Sequence, residues 1–251
     1  QILGFIYDEG FMKIIITSDI HGFYTEFIQA LAENGFDAKN EEHKIIICGD
    51  LFDRGNEANK LLDYLLSLPE DKLYIVRGNH EDLFEDCLFQ LENDMNVSMH
   101  HWSNRTLHTI AQLSNISEYD LVSGVFDFKT VKRSTKKYFE LIKRAKDFIE
   151  IDNYIFVHGW IPPIENWRNA SEKEWNDARW LNGMEMASLG HIEENKTIVC
   201  GHYHTGWGHK NIHNTIKDED DCFDIYKDKG VIALDACTVL SHKCNILVIE
   251  V

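Results

Sequence analysis

The chain has 251 residues, 44% apolar and 27% charged, enough for one large domain or two small ones with a substantial core and no covalent staples. Forty-two acidic residues against 25 basic ones give a formal charge of −17, which repels a nucleic-acid backbone over most of the surface and argues against a general DNA or RNA binder. No window reaches the about 18 consecutive apolar residues of a membrane span, and residues 1–11 lack the basic start and long apolar stretch of a signal peptide, so no membrane partner is expected.

Met12 stands directly before the first apolar run and is a candidate start, which makes residues 1–11 an extension or a remnant of cloning. Runs of strand length, most of them rich in Ile and Val, follow at 13–17, 44–48, 72–76, 154–158, 196–200, 230–234 and 245–251. Helical spacing fills the gaps between the first three: Phe27, Ile28 and Leu31, then Ala58, Leu61, Leu62, Leu65 and Leu66. This alternation predicts an α/β domain. Residues 81–150 change character, with helical spacing at Leu83, Phe84, Cys87, Leu88 and Leu91, and again from Tyr138 and Leu141 through Ile142 and Ala145 to Phe148 and Ile149. They read as a helical insertion in a single domain of residues 12–251. Lys129, Lys132, Arg133, Lys136, Lys137, Lys143, Arg144 and Lys146 give this stretch a basic character, either as the solvated face of a helix ending near Glu150 or as an attractor of acidic substrate. The acidic run 218–221 reads as a solvated loop. The six cysteines show no CxxC spacing, and Cys48 and Cys200 end apolar runs, which predicts reduced thiols in a cytoplasmic protein.

Polar clusters follow five of the expected strands. They are Ser18-Asp19-Ile20-His21-Gly22, Gly49-Asp50-Leu51-Phe52-Asp53-Arg54-Gly55, Arg77-Gly78-Asn79-His80-Glu81, His158-Gly159 and Gly201-His202-Tyr203-His204. Ligands collect outside the carboxyl ends of strands in an α/β sheet, so the clusters are expected on one rim. Any one of them alone could be a turn, a helix cap or a polar loop; five in this order argue for a shared site. Asp, Asn and His are hard-to-borderline donors that suit Mn, Fe or Zn, whereas a soft site would use the thiolates. Asp19, His21, Asp50, Asn79, His158, His202 and His204 are too many for one ion, and Asp50 can bridge two, at the roughly 3.5–4 Å spacing of two-metal hydrolytic sites.

These motifs resemble the calcineurin-like metallophosphoesterases, and more narrowly the phosphoprotein phosphatase branch of bacterial and phage type, whose signatures are GDxHG, GDxxDRG and GNHE. Ser18 replaces the first Gly, at a position that supplies no metal ligand in the family. Trp102, Asn104 and Thr106-Leu107 are similar to a bacterial segment in which Gly follows the Asn, where this chain has Arg105. The fold implied by the resemblance is a β-sandwich flanked by helices, in α/β/β/α layers. It also implies that one metal takes Asp19, His21 and Asp50 while the second takes Asp50, Asn79, His158 and His202. His204 is either a first-metal ligand, as in the wider superfamily, or a position left to water, as in many protein phosphatases, with the ligand preferred.

Further implications are a hydroxide bridging the metals that attacks phosphorus in line, His80 as proton donor to the leaving oxygen with Asp53 orienting it, and Arg54 and Arg77 as phosphate clamps. A third clamp is Arg168 or Arg179, with Arg179 preferred for its aromatic neighbours. The expected activity is a serine/threonine protein phosphatase, extending to phosphotyrosine, acting on phosphoprotein or small phosphoester substrates. Symmetrical dinucleoside tetraphosphate hydrolysis is the alternative, and a non-catalytic metal-binding scaffold the remote one. The presence of Asp53, Arg54, Arg77 and His80 weighs against the scaffold.

Overall fold

Three consecutive isoleucines in each of the first two runs leave no polar face to turn to water, as suits strands covered on both sides. The computed structural model describes residues 12–93 and 95–251; the extension expected over 1–11 lies outside the described residues. The chain opens with β1 (Lys13–Thr17), α1 (Tyr24–Glu33), β2 (His43–Cys48), α2 (Ala58–Ser67) and β3 (Leu73–Val76). The three strands are parallel, with Ile15 opposite Ile45 and Ile47 opposite Ile75.

A helical stretch follows: α3 (Asn79–Glu92), α4 (Met99–Ser103), α5 (Thr106–Ser114), α6 (Glu118–Val122), α7 (Phe128–Ser134) and α8 (Lys136–Ile142). Then come β4 (Ile149–Ile151), β5 (Tyr154–Phe156), α9 (Glu172–Ala178), α10 (Gly183–Ser188), β6 (Thr197–Cys200), α11 (Thr205–Asn211), β7 (Tyr226–Asp228), β8 (Val231–Ala233) and α12 (Thr238–Ser241). The final strand β9 (Leu247–Glu250) returns antiparallel beside β1, giving sheets ordered β3-β2-β1-β9 and β4-β5-β6-β8-β7.

Side-chain alternation along the strands separates the layers. Ile14, Ile16, Ile46, Cys48 and Val76 of the first sheet pack against Ile149, Ile151, Phe156 and Val199 of the second, forming the core between sheets. Ile15, Ile45, Ile47 and Ile75 face the other way, onto Phe27, Leu61, Leu65, Phe84, Leu107 and Ile110 of the helices. Ile155, Ile198, Val231 and Ala233 cover the opposite flank with Trp160, Trp175 and Met184. The result is the expected α/β/β/α sandwich.

Two elements differ from the sequence reading. The helix expected to run through Ile149 ends at Ile142, and the chain then extends into β4. Phe148 stacks on Trp175 on the outer flank while Ile149 is buried between the sheets, so the period there is two and not 3.6. No apolar run marks β7, because only Tyr226 of its three residues is buried.

Candidate metal centre

β1, β2 and β3 run parallel, as do β5 and β6, so the segment after each strand emerges on a common rim. Loop backbones lock together there: Asp19 N–H donates to the Gly49 carbonyl (3.1 Å), His21 N–H to that of Asp50 (3.0 Å) and Gly201 N–H to that of His158 (2.8 Å). Asp19, His21, Asp50, Asp53, Arg54 and His202 all adopt left-handed backbone, with φ from 51° to 74°. Each such residue costs on the order of 1–3 kcal/mol, which the surrounding packing must offset. Close approach also demands glycine: a Cβ on Gly201 would lie 2.0 Å from Asp19 Oδ2 and 2.6 Å from Ser18 Oγ.

The site brings together six of the seven expected ligands. His158 Nε2 lies 3.3 Å from Asp50 Oδ1 and 2.7 Å from Asn79 Oδ1. His21 Nε2 lies 3.7 Å from Asp50 Oδ2 and 4.0 Å from Asp19 Oδ1. The backbone N–H of His202 donates to Asp19 at 3.1 Å, and donor atoms of Asp50, His158 and His202 lie within 4.8 Å of one another. Asp50 reaches both His21 and His158, as a bridging carboxylate must.

The remaining ring nitrogens are held from behind. His21 Nδ1 is 2.9 Å from the Phe52 carbonyl and His158 Nδ1 is 2.8 Å from that of Cys48, an arrangement that fixes the tautomer and turns Nε2 to the site. Burial, then Arg54 and His80, push His21 well below the ordinary imidazole value, and burial followed by His158 pushes His202 down to about 3. Burial opposes charge on His158, but Asp50 and Asp19 hold it up at about 10. Burial, with Asp235 and Asp50 nearby, raises Asp19 well above the carboxylate range. Three buried carboxylates beside convergent imidazole nitrogens make a donor set of the kind that divalent cations satisfy, and the cysteines take no part. All six thiols are free, with Cys48 and Cys200 buried in the strands.

His204 is held partly from outside this cluster, while its buried Nδ1 has no hydrogen-bond partner. Its ring packs against Phe223 and its Nε2 lies 3.5 Å from Glu219, so one member of the acidic run expected only to face water instead pairs with it. Of the expected phosphate clamps, Arg54 lies beside His80, with Nη2 3.5 Å from His80 Nε2. Arg77 is engaged by Asp82 (2.6 Å) and Glu85 (2.8 Å), and Arg179 by Asp82 (2.7 Å) and Asp147. These two guanidiniums are thus tied through one carboxylate, a phosphate would have to compete for them, and the buried Nε of Arg179 has no hydrogen-bond partner. Arg168 is committed to Glu150 and Glu193.

His80 is 3% exposed and its Nδ1 lies 2.7 Å from Asp53 Oδ2. Burial would lower His80, but Asp50 and Asp53 outweigh it and hold the imidazole above its ordinary value. His80 also lies within ligand distance of His21 and Asp50, yet the Arg54 guanidinium beside its Nε2 favours an anion there over a cation.

Several supporting residues escape the sequence reading. Glu81 accepts from the backbone N–H groups of Asp50, Leu51 and Gly78, which joins the second and third motifs; its burial and the nearby Asp50 raise it to about 6. Thr106 and Thr109 donate to Asp53. Asp235 is buried near Asp19. Trp180 and Tyr203 flank His202, with ring centroids 5.7 and 5.1 Å from it. Local signals exist for Glu81 in the GNHE motif, Thr106 in the segment similar to the bacterial enzymes and Tyr203 in the fifth polar cluster.

The profile of the calcineurin-like phosphoesterases matches residues 12–233, and the chain belongs to that family. Over 70 residues, 28% of this chain and 24% of the relative, it is 41% identical to the symmetrical bis(5'-nucleosyl)-tetraphosphatase of Buchnera aphidicola subsp. Acyrthosiphon pisum (strain 5A). Over 160 residues, 60% of this chain and 57% of the relative, it is 26% identical to the asymmetrical bis(5'-nucleosyl)-tetraphosphatase PrpE of Oceanobacillus iheyensis. These alignments span from about a quarter to just over half of the curated relatives' length. Among solved structures it is similar to a mutant of a cold-active protein tyrosine phosphatase, with a TM-score of 0.53 and 16% identity over 95% of this chain and 75% of the other. That likeness is one of fold. Among the described residues no helix is long and apolar enough to cross a membrane.

Proposed function

We propose that the protein is a two-metal phosphomonoesterase that dephosphorylates serine and threonine side chains of phosphoproteins, with phosphotyrosine as a secondary substrate. The observation that carries this reading is the buried His80–Asp53 pair at 2.7 Å. A positioned proton donor matters most where the leaving oxygen is a strong base, as an alkoxide is; a phosphate leaving from a nucleotide chain departs with little help.

Asp19, His21 and Asp50 would hold one divalent ion, and Asp50, Asn79, His158 and His202 the other, with Mn, Fe and Zn all compatible with the donors. Such ions supply positive charge against the substrate dianion and lower the pKa of water toward about 7. Arg54 receives phosphate oxygens next to the proton donor, and Arg77 and Arg179 serve as further clamps only by releasing Asp82. As the ester P–O bond breaks, its electron pair stays on the leaving oxygen, which takes the proton from His80 Nε2. The helices of residues 81–150 form the cap of a single domain spanning 12–251. Free thiols throughout suit a reducing compartment, and we place the enzyme in the cytoplasm.

A second reading, dinucleoside tetraphosphate hydrolysis, draws on a different observation. Trp180 and Tyr203 are 41% and 38% exposed on either side of His202, and such faces stack nucleobases. Both curated relatives described above bear that activity in their names.

Manganese-loaded protein, with its Asp50→Asn variant as control for contaminating phosphatase, decides between them through kcat/KM on a phosphothreonine peptide and on diadenosine tetraphosphate. A peptide preference of about tenfold, near 1.4 kcal/mol in transition-state binding, is expected. A dinucleotide preference of that size overturns the first reading in favour of the second.

A further inference from the structure

Asp53 lies in the second motif loop, 1% exposed, and its carboxylate does more than receive His80. Its Oδ2 accepts from Thr106 Oγ1 at 2.8 Å as well as from His80, and its Oδ1 accepts from Thr109 Oγ1 at 2.7 Å. Thr109 Oγ1 in turn accepts the Asp53 backbone N–H at 3.0 Å. Both threonines are fully buried, and they stand three positions apart on α5, so their hydroxyls share one helix face. The same helix is pinned to the core by Leu107 and Ile110 and to the second motif by Gln112, which donates to the Gly55 carbonyl.

We propose that Thr106 and Thr109 are positioning residues for proton donation: the cap helix α5, and not the motif loop alone, orients Asp53 and through it His80. Three donors on one carboxylate, from two sides, leave Asp53 a single arrangement in which Oδ2 faces His80 Nδ1. That contact receives the Nδ1–H as a hydrogen bond and favours the doubly protonated ring, keeping its Nε2–H directed to the space beside Arg54. Without the hydroxyls Asp53 is free to rotate, and an imidazolium that it no longer stabilises and orients fails as an acid even when every metal ligand is in place. A merely structural role, satisfying a buried carboxylate, would affect all substrates alike.

The inference rests on His80 acting as the proton donor, and the test separates the two claims. Manganese-loaded wild type, Thr106→Val, Thr109→Val, the double valine variant, the matching serine variants and His80→Asn are assayed for kcat on phosphoserine peptide and on 4-nitrophenyl phosphate. The nitrophenolate leaves readily without a proton, whereas the serine alkoxide does not. Full loss of acid catalysis is worth on the order of 10²–10⁴ in rate, so His80→Asn should lose that much on the peptide and far less on the aryl ester. The double valine variant should show the same selectivity at about tenfold or more on the peptide, with metal content unchanged, and the serine variants should retain wild-type behaviour. Should the double variant fail to fold, the single valine variants carry the comparison. Equal losses on both substrates, or none, in valine variants alongside a selective His80→Asn overturn the proposed role of the threonines. A His80→Asn variant without selectivity overturns the underlying reading as well.

Discussion

His158 shows how one residue can oppose its own solvation. Burial disfavours its charge, yet Asp50 and Asp19 hold the imidazole at about 10, so in the metal-free protein it is protonated at neutral pH. A metal ligand must be neutral, and binding therefore expels that proton. His202, pushed down to about 3, and His21, also lowered, are already neutral and contribute none. Calorimetric titration of manganese at pH 7, in two buffers of different ionisation enthalpy, should show release of about one proton from imidazole, declining as the pH approaches 10. No buffer dependence would contradict it. The sign carries over to stability. The charged His158 stabilises the metal-free fold below the ordinary imidazole value of 6.5, and that contribution is lost as pH rises through about 10.

Among the elements, α5 joins packing to chemistry. Its buried Leu107 and Ile110 meet the core that also covers β2 and β3, while the Thr106 and Thr109 hydroxyls reach Asp53. Leu107→Ala should cost about 2–5 kcal/mol of stability, through lost burial and the cavity left behind. Urea unfolding checks the figure, and a change under about 1 kcal/mol would mean that the helix can collapse onto the gap. The basic stretch around α7 and α8 is mostly paired and exposed: Lys132 meets Glu92, Lys136 meets Glu140 and Lys137 meets Asp63. Pairs of this kind contribute little to stability and describe a solvated face.

Over the full chain, a net charge of −17 and a rim holding buried Asp19, Asp50 and Asp235 make the metal-free state electrostatically costly. A ligand that binds only the folded chain adds about 2.7 kcal/mol at a hundred times its Kd. For a chain of this size that corresponds to a rise in Tm of roughly 5–10 °C. Scanning calorimetry with manganese against chelator should show the rise in wild type and lose most of it in Asp50→Asn. An equal rise in both proteins would place the effective binding elsewhere.

Features that depend on neighbours along the chain are legible without coordinates. β-branched runs mark seven strands, because a strand buried on both faces needs no partner to be recognised. Asp19, His21, Asp50, Asn79, His158 and His202 can be read because each closely follows such a run, and parallel strands end on one rim. β4 and β7 cannot, since one mimics helical spacing and the other has a single buried residue. Partners across the fold are settled by packing alone. Asp53 meets Thr109 across 56 positions, Arg179 meets Asp82 across 97, and His204 meets Glu219. A hydroxyl, a guanidinium or an imidazole has the same local signature whichever carboxylate it finds, and that choice is made by contacts between elements distant in the chain.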